Sequence, residues 1–328
     1  MQELTATREL TYLQAISEAL REEMRRDPAV FLIGEDIENS IYGVTAGFVE
    51  EFGAKRIRNT PLSENGFVGA AAGAAMVGAR PVVDVTIASF LYVAMDQLIS
   101  IISKATYMYG GQAKMPLVIR AAMFYGNAMA AQHSDRPHPM FMHMPGLKII
   151  APATPYEAKG MLKSAIRDDD PVLCFEDGTV WFNKGEVPSE EYLVPIGKAD
   201  VKREGNDVTI AAIAGCVPLA MAAAEELAQN GVSAEVIDLR TLAPLDMTTI
   251  LESVEKTGRL VVADPAHKVC SAASEISATV AEEGFWNLKA PIMRVTTAAM
   301  HIPFSPPLES QLYPSSAKIV KAAQQTLE

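Results

Sequence analysis

Short apolar runs of β type alternate with amphipathic helical stretches twice along this chain, and that alternation limits the fold more than any other feature. The first series reads as helix 7–26, strand 30–33, a helix near 44–52, strand 56–59, helix 66–77, strand 81–85, helix 92–107, strands 117–119 and 148–150, helix 155–166 and strand 172–175. Strands separated by helices predict a mostly parallel sheet with helices on both faces. Residues 177–204 break the pattern with Gly178, Gly185, Pro188, Pro195 and many charges, and read as a linker. A second series follows: strand 208–213, helix 218–229, strand 234–237, helix 247–256, strand 260–263, helix 272–282, strand 292–295 and helix 315–327. Gly231 and Gly258 stand where helix-ending glycines belong. The expected fold class is therefore α/β, as two three-layer α/β/α domains covering 1–185 and 205–328, with the linker at about 178–205.

Composition narrows the function. With 328 residues and 49% hydrophobic content the chain has enough apolar surface for two cores. It carries 28 Lys and Arg against 40 Asp and Glu, a net charge of -12. That balance argues against nonspecific nucleic-acid binding and against anionic membrane surfaces. Cys174, Cys216 and Cys270 form no C-x-x-C pair, and the first two lie beside apolar runs as small core residues. The N-terminal stretch lacks the apolar centre of a signal peptide. The uncharged stretch 66–79 falls short of the ~20 residues that span a bilayer. The expectation is a cytoplasmic protein with no membrane partner.

The glycines do not make a nucleotide cradle. There is no G-x-G-x-x-G after a strand and no G-x-x-x-x-G-K-[ST] or G-x-S-x-G. Gly66, Gly69, Gly73 and Gly78 punctuate an alanine-rich helix, where small residues suit close helix packing or a subunit interface. Three constellations remain. Glu64, in Thr60-Pro61-Leu62-Ser63-Glu64-Asn65-Gly66, lies at a strand-to-helix junction, where ligands of open α/β sheets bind; an acidic residue there also suits the helix dipole. Phe90, in Ser89-Phe90-Leu91-Tyr92, follows a strand and either stacks on a flat ring or packs in the core. His133, His138 and His143 cluster among prolines. Their spacing, with no Cys or Glu partner, does not suit zinc, whereas one histidine at a loop tip suits acid–base work. His267 and His301 read as structural or surface residues.

Several motifs together resemble the beta subunit of thiamine-diphosphate-dependent 2-oxo acid dehydrogenases, the pyruvate, branched-chain and acetoin group. They are TPLSENGFVGAAAGAAMVGARPVVD, Asp96-Gln97, AAQHS, PGLKIIAPATPYEAKGMLKSAIRDDDPV, AEVIDLRTLAPLD and TGRLVVAD. GEVPSEEYLVPIGKADVKREG and CSAASEISATVAEEGFWNLKAPI look most similar to the acetoin enzymes. The resemblance implies a transketolase-like pyrimidine-binding domain followed by a transketolase C-terminal domain, in an assembly of two alpha and two beta chains. It implies that the alpha subunit grips the cofactor's diphosphate and Mg²⁺, and that the product passes to a lipoyl-bearing acyltransferase.

By the same resemblance Glu64 hydrogen-bonds N1′ of the aminopyrimidine, Phe90 stacks on that ring and Leu62 lines it. His133 handles protons during transfer to the lipoyl arm. Leu117, Ala165, Ile166, Asp168 and Asp170 would hold a structural K⁺, mostly through backbone oxygens. Alternatives within the reading are a divergent split transketolase or synthase-type subunit, and a non-catalytic partner that kept the fold. The sequence departs from the family at AAMFYGNAM, at Asp135-Arg136-Pro137-His138-Pro139 and at Asp264-Pro265-Ala266-His267.

Overall fold

The computed structural model describes residues 6–328, so the first five residues of the expected N-terminal stretch lie outside the described residues. Two units emerge. One runs to Met123 and resumes over Phe141–Ile196; the other combines Phe124–Met140 with Gly197–Glu328. In chain order the strands of the first unit are β1 (Thr7–Thr11), β2 (Val30–Glu35), β3 (Ile57–Thr60), β4 (Arg80–Ile87), β5 (Val118–Met123), β6 (Lys148–Ile150), β7 (Val172–Asp177) and β8 (Lys184–Pro188). Those of the second are β9 (Asp200–Arg203), β10 (Val208–Ala212), β11 (Ala234–Asp238), β12 (Thr241–Ala243), β13 (Leu260–His267) and β14 (Met293–Thr297). The helices are α1 (Tyr12–Arg26), α2 (Phe48–Phe52), α3 (Glu64–Met76), α4 (Ala105–Met108), α5 (Ala130–His133), α6 (His138–Met142) and α7 (Pro155–Arg167). They continue with α8 (Cys216–Gln229), α9 (Met247–Thr257), α10 (Ala272–Glu283), α11 (Pro306–Glu309) and α12 (Ser316–Gln325).

The strands of the first unit's main sheet run parallel in the order β6-β7-β5-β4-β2-β3. Every residue of β5 and β7 is buried. Strands covered on both faces favour apolar runs, and β5 (VIRAAM) and β7 (VLCFED) follow that pattern except at Arg120, Glu176 and Asp177. The second sheet has the order β14-β13-β10-β11-β9, parallel except for the antiparallel edge strand β9. Its central strands β10 and β11 are likewise buried throughout. Both units are thus three-layered. Gly258 ends α9 in the left-handed conformation (φ +75°), where an L side chain would be strained.

Two expectations change. The segment read as one helix from residue 7 begins as strand β1, and α1 starts only after Thr11. Thr11 accepts from the Gln14 backbone while the Gln14 side chain takes the Thr11 N–H, a reciprocal cap that fixes the boundary. β1 forms because β8, inside the expected linker, pairs with it antiparallel from Thr7↔Pro188 to Thr11↔Lys184. The helix read over 92–107 is also broken. It becomes a 3₁₀ turn at Ala88–Tyr92, a π-helical stretch at Gln97–Ile102 and the short α4. The Ser103 N–H reaches the Leu98 carbonyl, five residues back, at 3.0 Å.

Tyr12, Ile16, Leu20 and Met24, four apart, bury one face of α1. Beside them Lys159 and Lys163 of α7, both buried, reach the Glu22 carboxylate at 2.8 and 2.6 Å. Cys174 and Cys216 are buried as expected. No described helix is long and apolar enough to cross a membrane.

Candidate active site

Glu64 is the first residue of α3, directly beyond the carboxyl end of β3, and is half-buried. Ser63 is the N-cap but leaves the helix amides uncapped; its hydroxyl donates to the Pro61 carbonyl at 3.3 Å. The Glu64 charge therefore sits at the positive end of α3. Leu62 is 79% exposed. Phe90 occupies the 3₁₀ turn after β4 and is half-buried. The β4 ladder shifts register between Asp84 and Ile87, and Thr86 holds φ +65°. A β-branched residue there is a genuine outlier, and such bulges re-aim a strand exit.

Strand order places β2 between β4 and β3. Glu35, the last residue of β2, is paired in register with Thr60 of β3. Sequence reasoning missed it. Glu35 is 6% exposed, and its Oε1 has no hydrogen-bond partner among the described residues. Burial, then the charges of Glu64, Asp36 and Asp84, push its carboxyl up to about 7. The available signal was an acid ending an otherwise apolar strand, VFLIGE. Gly34 next to it allows the close approach of β4, because a Cβ would meet the Asp84 carbonyl oxygen at 2.2 Å.

A carboxyl whose value is raised in the fold favours the fold while protonated. That contribution is complete below the unfolded value and is lost as pH rises through about 7. Glu35→Gln is expected to abolish this loss, raising stability at pH 8 relative to pH 5 by up to about 3 kcal/mol. Thermal melts at the two pH values measure it, and an unchanged pH dependence would refute it.

Behind this acidic cluster lies a second missed group. Arg120 of β5, buried, donates to both oxygens of Glu176 on β7 (2.6 and 3.0 Å) and to Asp84 on β4 (2.9 Å). Burial raises the Glu176 carboxyl, and the Arg120 charge and bonds oppose that rise. With Glu35 and Tyr42 these residues line a cavity of about 30 Å³, room for a water molecule.

The oxygens expected to hold K⁺ have protein partners. The Ile166 and Asp168 carbonyls accept from Arg80 at 3.1 and 2.8 Å. The Leu117 and Ala165 carbonyls accept the backbone N–H of Val172 and Asp168 at 3.0 and 3.2 Å. Lys148 bridges the Asp168 and Asp170 carboxylates at 2.7 and 3.0 Å. Among the described residues no group of three or more His, Cys, Asp and Glu side chains is placed to hold a metal.

His133 belongs to the second unit, at the end of α5, and is half-buried. Of the histidines grouped with it, His138 is fully buried and bonds Asp264 through Nε2 at 3.1 Å. His267, read as structural or surface, is exposed and bonds the Ala298 carbonyl at 2.7 Å.

Two α/β units with mostly parallel sheets, and a carboxyl and an aromatic at the exits of β3 and β4 on either side of β2, define a transketolase-type chain. Residues 8–177 match the transketolase pyrimidine-binding domain family, and residues 197–319 match the transketolase C-terminal domain family. The chain is 44% identical to the beta subunit of acetoin:2,6-dichlorophenolindophenol oxidoreductase of Bacillus subtilis, over 98% of each chain. It is 41% identical to the 2-oxoisovalerate dehydrogenase beta subunit of the same organism, over 97% of this chain and 99% of that one. A solved split-gene transketolase, described as an inactive beta4 tetramer, superposes with TM-score 0.80 at 25% identity, over 97% of this chain and 98% of the other. The chain belongs to the family of beta subunits of thiamine-diphosphate-dependent 2-oxo acid and acetoin dehydrogenases.

Proposed function

We propose that this chain is the beta subunit of an enzyme that cleaves acetoin or decarboxylates a 2-oxo acid and passes the acyl group to lipoamide. The observation that carries the reading is the placement of Glu64 and Phe90 at the carboxyl ends of β3 and β4, flanking β2, in a chain 44% identical to an acetoin-enzyme beta subunit. An acidic acceptor and a half-buried aromatic at strand exits one strand apart suit an aminopyrimidine ring, so the residues fit that half of thiamine diphosphate. When bound, the cofactor supplies a nucleophilic carbon and an electron sink.

This chain's residues do the rest. The Glu64 carboxyl holds a proton toward N1′ of the pyrimidine. Phe90 stacks on the ring, and Leu62, exposed in this chain, closes over its edge. His133 moves a proton during transfer to the lipoyl arm. The diphosphate and Mg²⁺ fall to the alpha subunit, in an assembly of two alpha and two beta chains. Gly66, Ala70, Gly73 and Val77 form an exposed row along α3, and a Cβ on Gly73 would meet nothing within 4 Å. This row is where the alpha subunit docks. The oxygens of Leu117, Ala165, Ile166, Asp168 and Asp170 are hard donors that suit K⁺. The carbonyls already bonded to Arg80 keep a second lone pair for it. The pyrimidine-binding domain covers 1–185 and the C-terminal domain 205–328, and the protein is cytoplasmic.

Co-expression with the alpha partner, followed by assay with acetoin, pyruvate and branched-chain 2-oxo acids, tests the reading. 2,6-Dichlorophenolindophenol serves as artificial acceptor and lipoamide as natural acceptor. Acetoin is expected to be turned over best, and dye reduction with none of the three would reject the reading. Half a site also predicts affinity at least about 100-fold weaker for thiamine diphosphate in the isolated chain than in the heteromer. Tight binding by the chain alone in isothermal titration would contradict it.

A further inference from the structure

His133 lies in the segment 124–140, which groups with the second unit. Its backbone is held in an unusual shape: Ala128, two residues before α5, and Ala130, its first residue, have φ of +54° and +56°. L-residues adopt that region rarely and keep it only where the surroundings impose it. The surroundings here are three buried anchors. At the start, the buried Glu309 carboxylate accepts the N–H groups of Gly126 (2.8 Å) and Ala128 (3.1 Å) and the Tyr313 hydroxyl (3.0 Å). In the middle, the Arg136 guanidinium lies over the Tyr125 and Tyr313 rings, 4.1 and 4.9 Å from their centroids. It also donates to the carbonyls of Phe124 (2.6 Å) and Ser134. At the end, His138 meets Asp264 at 3.1 Å, with both side chains fully buried.

Asp264 is itself fixed. It accepts the N–H of Ala266 at 2.8 Å and of Ala273, in the first turn of α10, at 3.0 Å. Burial raises its carboxyl, but His138 and these backbone bonds outweigh that and hold it below the usual carboxylate range. His138 and Asp264, 126 residues apart in the chain, thus tie the end of the segment to the carboxyl end of β13.

We propose that the His138–Asp264 bond and the Glu309 carboxylate are positioning elements that clamp segment 124–140 at its two ends and so fix His133 for acyl transfer. All three side chains are fully buried and act through the backbone that carries His133. The inference rests on the functional reading above for the role of His133, but the clamp itself is testable without substrate.

The test uses the full heteromer with H138L, H138Q and E309Q. Leucine fills the His138 site without a donor, and glutamine keeps an N–H for Asp264. Amide exchange across 124–140 is expected to speed up about tenfold or more in H138L and E309Q, and to stay near wild type in H138Q, while peptides from α7 and β10 are unchanged. Lipoamide-dependent kcat falls about tenfold in the same two variants, with KM for the carbonyl substrate and dye reduction within about twofold. H138Q restores the lipoamide rate.

Unchanged exchange over 124–140 would overturn the proposal. So would an equal fall of dye and lipoamide rates, or faster exchange with no change in the lipoamide rate. If H138L does not assemble, E309Q decides at the other end. A wild-type heteromer that reduces neither acceptor sinks the functional reading, and the exchange result still judges the clamp.

Discussion

Glu64→Gln is expected to lower turnover of the reconstituted heteromer by at least about 100-fold, the span of a lost proton-transfer group, while the assembly still forms. Glutamine preserves the volume and the acceptor oxygen of Glu64 at the head of α3. It removes the ionisable proton. The structural penalty is small, because a half-buried acidic side chain in a first turn contributes about 0.3–1 kcal/mol through the dipole. Activity and assembly therefore separate. Dye reduction at saturating cofactor reports the first, and sedimentation of the mixed subunits reports the second.

The same substitution has a second readout. The Glu64 charge follows burial among the causes that raise Glu35, so Glu35 titrates lower in the variant. The midpoint of the pH-dependent stability change described above shifts toward acid. Full turnover in Glu64→Gln would remove this carboxyl from the mechanism. Loss of assembly along with activity would show that Glu64 holds the subunits together instead.

The parts of the molecule visible in the sequence are those set by local pattern. The buried strands β5, β7, β10 and β11 announce themselves through short apolar stretches despite the charges that interrupt them, and α1, α7 and α9 through four-residue stripes. Pairing that depends on a distant partner is not visible. Residues 7–11 look helical because Leu10 and Leu13 are three apart, yet they pair with a strand that begins at Lys184. Strand formation follows neighbours more than composition.

The site divides in the same way. Glu64 stands out because it opens a glycine-rich helix after a strand. Glu35, Arg120 and Glu176 hide singly in apolar strands, and only the order β7-β5-β4-β2 brings them near one another. Segment 124–140 is similar. Nothing local in it reveals that Glu309, more than 180 residues further on, closes on Gly126.

Arg120→Met is the second large effect, and it falls on stability. Arg120 compensates two carboxylates at once, with both oxygens of Glu176 and one of Asp84 within 3.0 Å. Methionine fills much of the volume but leaves the buried Glu176 charge without its cation and the partly buried Asp84 with only the Thr86 N–H. Removing one member of a buried ion pair costs about 3–5 kcal/mol. For a unit of this size that is a fall in Tm of roughly 6–20 °C.

The sign of the pH dependence follows. Without Arg120, burial and the Asp84 charge still raise the Glu176 carboxyl, and nothing opposes them. A carboxyl raised in the fold favours the fold while protonated and loses that contribution as pH rises. The variant is therefore expected to be less impaired at pH 5 than at pH 8. Adding Glu176→Gln and Asp84→Asn to Arg120→Met removes the orphaned charges and is expected to recover part of the lost stability. A Tm unchanged by Arg120→Met, or a triple variant less stable than the single one, would show that the network does not carry the core of this sheet.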